Sequence, residues 1–338
     1  MHDTAVLAEA ARRAVLLASG VCREIQLAQG AVRQVTKDDK SPVTVADYAS
    51  QAIVARELRE RFGDVALVAE EDTDFLRQDE HKAHLQAVLE AVRTVWDDCT
   101  EDELLETIDI GNGRADDSGF WTLDPIDGTK GFLRGQQYAV SLAFIESGVP
   151  VAGAMGCPNL PRDFSDPLDE PDPRGSLYYA VLGEGVYETP CDDSNERPVK
   201  LTRLPSDKDT MSVCASVERA HSSTDDMDRV LDLVAQKNIE IAPPARLDSQ
   251  AKYAVVARGQ ADAYMRLPTK KSYVEKIWDH AAGALVAVEA GCIVSDIRGH
   301  GLDFSHGVGL SENKGIICAA PHCHAMLVGA IKTLKIGV

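Results

Sequence analysis

Two apolar runs, Tyr138–Glu146 and Val149–Cys157, are separated only by Ser147 and Gly148. Both have β character, and a two-residue connection containing glycine is a hairpin signal. The pair therefore predicts adjacent antiparallel strands. Upstream, Leu7, Ala11, Ala14, Ala18, Val21 and Ile25 recur at helical spacing. After a polar loop over Lys37–Thr44, a second helix is expected over Thr44–Phe62, with Val45, Tyr48, Ala49, Ala52, Ile53 and Leu58 on its apolar side. Val65–Ala69 and Trp121–Asp124 read as strands, and Leu85–Val95 as a helix. The first half thus reads as helices packed on a largely antiparallel sheet.

Pro158–Gly175 is rich in Pro and Asp and predicts a boundary between an N-terminal α+β domain, 1–157, and a C-terminal α/β domain, 158–338. Beyond it, strands are expected at Leu177–Leu182, Val186–Tyr187, Ala261–Arg266 and Cys292–Ser295. Helices are expected at Thr224–Lys237, Ser249–Gly259 and Asp279–Ala290.

Charge excludes several partners. The 338 residues hold 35 Lys+Arg against 54 Asp+Glu, a net of −19. Neither a general basic surface for nucleic acid nor a polybasic membrane-binding segment is present. Asp72–Gly119 alone holds 14 acids and 4 bases. This segment reads as a solvated insertion, although it joins Glu70 to Asp124 and so could cover what lies between them. No run approaches the ~20 apolar residues of a membrane span. The eight cysteines are scattered, as expected for reduced thiols in a cytoplasmic protein. Cys318–His324 is rich in Cys and His, but its spacing matches no standard zinc pattern.

The segment Trp121-Thr-Leu-Asp-Pro-Ile-Asp-Gly-Thr-Lys-Gly-Phe132 carries the chemistry. Pro125 holds Asp124 extended, so a strand can end there. Asp127 follows across a tight turn, with the Ile126 carbonyl between the two carboxylates. These are hard oxygen donors suited to Mg²⁺. A helix opened by Gly128-Thr129 would add free N–H groups suited to phosphate. Seen alone, the segment fits an N-capped turn better, and Asp279 fits a helix cap equally well.

The segment resembles the signature of the inositol monophosphatase superfamily, Mg²⁺-dependent and Li⁺-sensitive phosphatases. Ile277-Trp-Asp-His-Ala-Ala-Gly283 and Val68-Ala-Glu-Glu-Asp72 are similar to two further signatures, in family order. Lys40–Tyr48, Leu247–Tyr253 and Tyr264–Pro268 look like the 3′(2′),5′-bisphosphate nucleotidases of fungi and plants. The resemblance implies a layered α-β-α-β-α sandwich and a small-molecule nucleotide bisphosphate substrate, 3′-phosphoadenosine 5′-phosphate, cleaved to AMP and phosphate. The sulfated form, 3′-phosphoadenosine 5′-phosphosulfate, is a further expected substrate. Inositol monophosphatase or inositol polyphosphate 1-phosphatase activity is the alternative it leaves open.

By the same resemblance, Glu70, Asp124, Asp127, Asp279 and the Ile126 carbonyl would hold two or three Mg²⁺. Glu71 competes with Glu70, because neighbouring strand positions face opposite ways; the family register favours Glu70. Ala69 stands where much of the superfamily has Gly. Asp47 and Thr129 would activate water for direct displacement, without a covalent intermediate. Gly128, Thr129, His221, Ser249, Lys252, Arg266 and Asp279 would contact the nucleotide, with Lys276 a weaker candidate. Ser249 and Lys252 are expected on one face of one helix. A monomer acting on a small molecule is expected, the charge already speaking against a nucleic-acid or membrane partner.

Overall fold

The computed structural model describes residues 2–32, 41–116, 118–192, 196–217, 223–270 and 272–337. Helices α1 (Thr4–Val32) and α2 (Ser41–Phe62) lead into strand β1 (Leu67–Ala69). Helices α3 (Lys82–Val92) and α4 (Glu101–Ile108) come next. Then follow β2 (Phe120–Asp127), the short α5 (Thr129–Leu133), β3 (Ala139–Glu146), β4 (Val149–Cys157), β5 (Ser176–Val181), β6 (Gly185–Pro190) and β7 (Val199–Lys200). Strands β1 to β7 form one sheet in chain order, parallel only between β1 and β2. The β3–β4 hairpin turns through Ser147 and Gly148, both at positive φ (52° and 74°), as its two-residue loop requires.

This sheet is covered on both faces. Val140, Leu142 and Phe144 of β3 enter the core beneath α1 and α2, and the alternate Ala139, Ala143 and Ile145 enter the core on the other side. Two-sided burial explains why β3 and β4 read as near-continuous apolar runs.

The remaining elements are β8 (Thr210–Met211), β9 (Val213–Ala215), α6 (Thr224–Ala235), β10 (Glu240–Ile241), β11 (Ala245–Arg246), α7 (Ala251–Arg258), β12 (Ala263–Arg266), α8 (Ala281–Glu289), β13 (Ile293–Ser295), β14 (Ile316–Ala319) and α9 (Pro321–Leu334). A second sheet runs β11-β9-β12-β14-β13. Helices α7 and α8 lie between the two sheets, and α6 and α9 cover the outer face of the second. The layers are therefore α-β-α-β-α, as expected.

Three expectations change. The boundary expected after Cys157 does not divide the sheets, because β4 pairs with β5 across it from Ala152↔Val181 to Cys157↔Ser176. Strand β2 does not stop at Asp124. It continues through Pro125 to Asp127, with its register shifted between the two acids. The acidic segment is not merely a solvated insertion. Leu85, Val88, Leu89 and Val92 of α3 and Leu104, Leu105 and Ile108 of α4 are buried in the core shared with α2. All eight cysteines are buried and free. Among the described residues, no helix is long and apolar enough to cross a membrane.

Candidate active site

Strands β1 and β2 are parallel, with Ala69 beside Leu123, so Glu70, just past the end of β1, comes beside Asp124 within β2. A regular strand would send Asp124 and Asp127 to opposite faces, because their separation is odd. The bulge changes that parity. Asp124 stands opposite Ser141 and Asp127 opposite Ala139, so three steps on β2 match two on β3. Pro125 fits there because it has no N–H to contribute to the ladder. Ser50 of α2 donates to the Pro125 carbonyl at 2.8 Å.

The result is a cavity of about 360 Å³. Glu70, Asp124, Ile126, Asp127, Gly128, Thr129, Ser249, Lys252, Arg266 and Asp279 all line it. Glu71 instead turns its backbone to Gln51, whose carboxamide bonds both its N–H (3.1 Å) and its carbonyl (2.6 Å). Ala69 packs against Gly111, where an added Cβ would lie 2.9 Å from the Ala69 methyl. The bulk absent from a glycine at one position is thus accommodated by a glycine at another. Asp47 is buried but does not line the cavity. Lys276 also lies off the wall, its Nζ 5.3 Å from the Trp278 ring centroid. His221 lies outside the described residues.

The capping alternatives do not describe these acids. Gly128, with φ of 88°, caps α5 without a side-chain bond. Asp127 accepts from the Gln250 backbone N–H at 2.5 Å. Helix α8 begins after Asp279, and its N-cap, His280, makes no side-chain cap bond. Gly128 is required for space as well as for its φ: a Cβ there would lie 2.7 Å from that of Ser249. Ser249 precedes α7 instead of sharing a helical face with Lys252, and its Oγ accepts from Ala251 N at 3.2 Å. Helix α7 starts at the cavity, its N-cap Gln250 and Lys252 both in the lining, and α8 starts two residues after Asp279, so positive helix ends lie near the acids.

The electrostatics are those of crowded acids. Burial, then Asp279, pushes Glu70 up to about 8. Burial, then Asp127, raises Asp279 to about 6. Asp124 is also raised, by burial and then Glu70. Its Oδ1 is buried without a hydrogen-bond partner. Hard carboxylate oxygens, one of them unpartnered, fit a divalent cation, which would offset their mutual repulsion.

The same cavity also holds two cations. Lys252 is buried, with its Nζ 5.2 Å from the Tyr264 ring centroid. Arg266 pairs with Glu275 at 2.9 Å, approaches Asp279 to 3.8 Å and donates to the Tyr273 hydroxyl at 3.2 Å. Sequence reasoning missed these supports. It also missed Gln250, whose carboxamide ties Trp278 O (2.8 Å) to Gly283 N (3.0 Å). Only their positions inside or beside the quoted motifs could have pointed to them.

A model of the inositol monophosphatase family matches residues 2–335. The chain belongs to the inositol monophosphatase family. Among curated relatives in this family, the 3′(2′),5′-bisphosphate nucleotidase of Schizosaccharomyces pombe is 42% identical over 92% of this chain and 89% of its own. That of Oryza sativa is 39% identical over 96% and 92%. Solved structures of the family share the fold at lower identity. Mycobacterium tuberculosis SuhB matches with a TM-score of 0.62 at 21% identity, covering 100% of both chains. The inositol monophosphatase from Anabaena (Nostoc) matches with a TM-score of 0.59 at 19% identity, covering 98% of this chain and 96% of its own.

Proposed function

We propose that this chain is a 3′(2′),5′-bisphosphate nucleotidase that removes the 3′-phosphate of 3′-phosphoadenosine 5′-phosphate, giving AMP and phosphate. One observation carries the reading: four carboxylates and the two cations Lys252 and Arg266 line a single cavity. The carboxylates suit metal cations, and Lys252 and Arg266 suit the phosphates of a small nucleotide. The names of the relatives agree with it.

Glu70, Asp124, Asp127, Asp279 and the Ile126 carbonyl would hold Mg²⁺. When bound, it supplies Lewis-acid polarisation of the phosphoryl group and a more acidic water. Thr129 lines the cavity, and its hydroxyl donates to the Ile126 carbonyl at 3.4 Å, a long bond that it can exchange for an attacking water. Asp47 serves as the proton acceptor. Its burial, then Glu71 and Glu70, raise its pKa, making its carboxylate a stronger base than an exposed Asp. Lys252 lies buried in the cavity lining, where Asp127 and Asp248 act on its charge, and substrate phosphate would become its partner. Ser249, Gly128 and Arg266 shape and charge the same lining, and His221 would complete the purine side. We further propose that the chain acts in the cytoplasm as a monomer and is inhibited by Li⁺.

The test is phosphate release from 3′-phosphoadenosine 5′-phosphate, its phosphosulfate counterpart and inositol 1,4-bisphosphate, each with Mg²⁺, with chelator, and with Li⁺ added. Release from the two nucleotides, abolished by chelator, is expected. Lys252→Ala should raise KM for the nucleotide. Release from the inositol phosphate alone overturns the nucleotide reading.

A further inference from the structure

A second cluster of metal-binding atoms lies away from the cavity. Asp262, His322 and Cys323 each place a ligand atom within 4.8 Å of the others. The Cys323 Sγ is 3.0 Å from His322 Nε2. The cysteine is fully buried and the histidine half-buried. The residues come from two rigid places: the lead-in to β12 and the first turn of α9. A backbone bond from Ala320 N to Asp262 O, 2.7 Å, joins these two places.

The carboxylate is also fixed. Its Oδ2 accepts from the Ser212 N–H at 2.8 Å and the Ser212 hydroxyl at 3.3 Å, while Arg203 stands 3.8 Å from Oδ1. Such outer contacts orient a metal ligand before the ion arrives. One sulfur, one imidazole nitrogen and one carboxylate oxygen form a borderline-soft set, unlike the all-oxygen wall of the cavity. Three protein ligands leave a fourth tetrahedral position for solvent.

We infer that Asp262, His322 and Cys323 form a second metal site, selective for Zn²⁺-like ions over Mg²⁺. Binding replaces the thiol proton of Cys323, released to solvent, with a metal–sulfur bond. The sequence conceals the site because Asp262 is remote from the Cys318–His324 stretch. Strand β12 links the two centres: Arg266 faces the cavity at one end, and Asp262 lies about 13 Å away at the other, by strand rise.

Titrating Co²⁺ into the Mg²⁺-saturated full chain distinguishes the centres. Only a thiolate ligand gives a sulfur-to-cobalt charge-transfer band in the near ultraviolet. One equivalent of band-forming Co²⁺, displaced by Zn²⁺, is expected. Cys323→Ser should abolish the band, and Ser212→Ala should weaken binding about tenfold or more. His322→Ala, at a half-buried position, provides a second variant should Cys323→Ser fail to fold, and it should weaken the band at least as much. A wild-type chain without the band overturns the site, as does a band that survives Cys323→Ser or is undiminished in His322→Ala.

Discussion

Two acidic regions meet at Glu70, and convergence sets their behaviour apart. In the segment 72–119, acids such as Asp97, Asp98, Glu101, Asp102 and Glu106 stand exposed, while leucines and valines beneath them join the core of α2. At the cavity, Glu70, Asp124, Asp127 and Asp279 line one space, and Glu70, Asp124 and Asp279 are pushed up first by desolvation and then by one another's or Asp127's charge. Exposed acids are separated by water and screened by salt. The cavity acids instead crowd a cation-sized space. Local acid density therefore does not distinguish a site from a solvated surface. The number of carboxylates drawn to one cavity does.

The largest effect that could break this distinction is at Asp127. Asp127→Asn retains an oxygen able to accept from Gln250 N–H but removes one negative charge from the proposed cation site. Turnover should fall by about 10³-fold or more, ~4 kcal/mol in transition-state terms, with an unchanged circular dichroism spectrum. Steady-state phosphate release measures it, and a near wild-type rate would remove Asp127 from the machinery.

The acidic segment should respond in stability instead. Leu104 is fully buried, and Leu104→Ala should cost about 2–5 kcal/mol, seen as a lower Tm and an earlier urea midpoint. A loose, solvated insertion would tolerate the change. If Tm did not move, the helices of this segment would not belong to the core.

The folded layers and most of the site were legible for different reasons. Helical spacing in α1 and the apolar runs of β3 and β4 reflect core faces, so they appear in the residues themselves. The acids Glu70, Asp124, Asp127 and Asp279 became legible only through motif resemblance. Three-dimensional closure brings residues 70 and 279 to one cavity, and periodicity cannot reveal that. Helix α4 was missed although it carries a capping box, Thr100 with Glu103. Its run of acids made the segment look solvated. Pro125 suggested a strand end because its missing N–H usually ends a ladder, but a bulge accommodates it. Gln250 and Glu275 act through contacts with Asp127, Arg266 and His280, and contacts between distant residues leave no local pattern.

A pH series sharpens the comparison. In the metal-free protein Glu70 rises from its ordinary 4.5 to about 8. A carboxyl raised on folding binds more protons in the folded state than in the unfolded state between those values. Stability therefore falls as pH rises through that window. With chelator present, Tm should be lower near pH ~8 than near pH ~6, and Glu70→Gln should reduce the difference. A drop of the same size in wild type and Glu70→Gln would show that Glu70 does not cause it.

The smallest expected effect tests the other half of the distinction. Asp97, Asp98 and Glu106 are exposed acids of the segment 72–119. Changing them together to Asn, Asn and Gln takes the net charge from −19 to −16. Stability should shift by no more than about 0.5 kcal/mol per site, and KM for an anionic nucleotide should stay within about twofold at physiological salt, where screening shortens the reach of surface charge to ~8 Å. Measuring KM at low and high ionic strength separates two ways in which the substrate could be drawn in. If Lys252, Arg266 and the helix ends provide the attraction, the triple variant and the wild type keep parallel salt profiles. If the overall negative field repels the nucleotide on approach, KM drops in the variant, and the difference vanishes as salt is added.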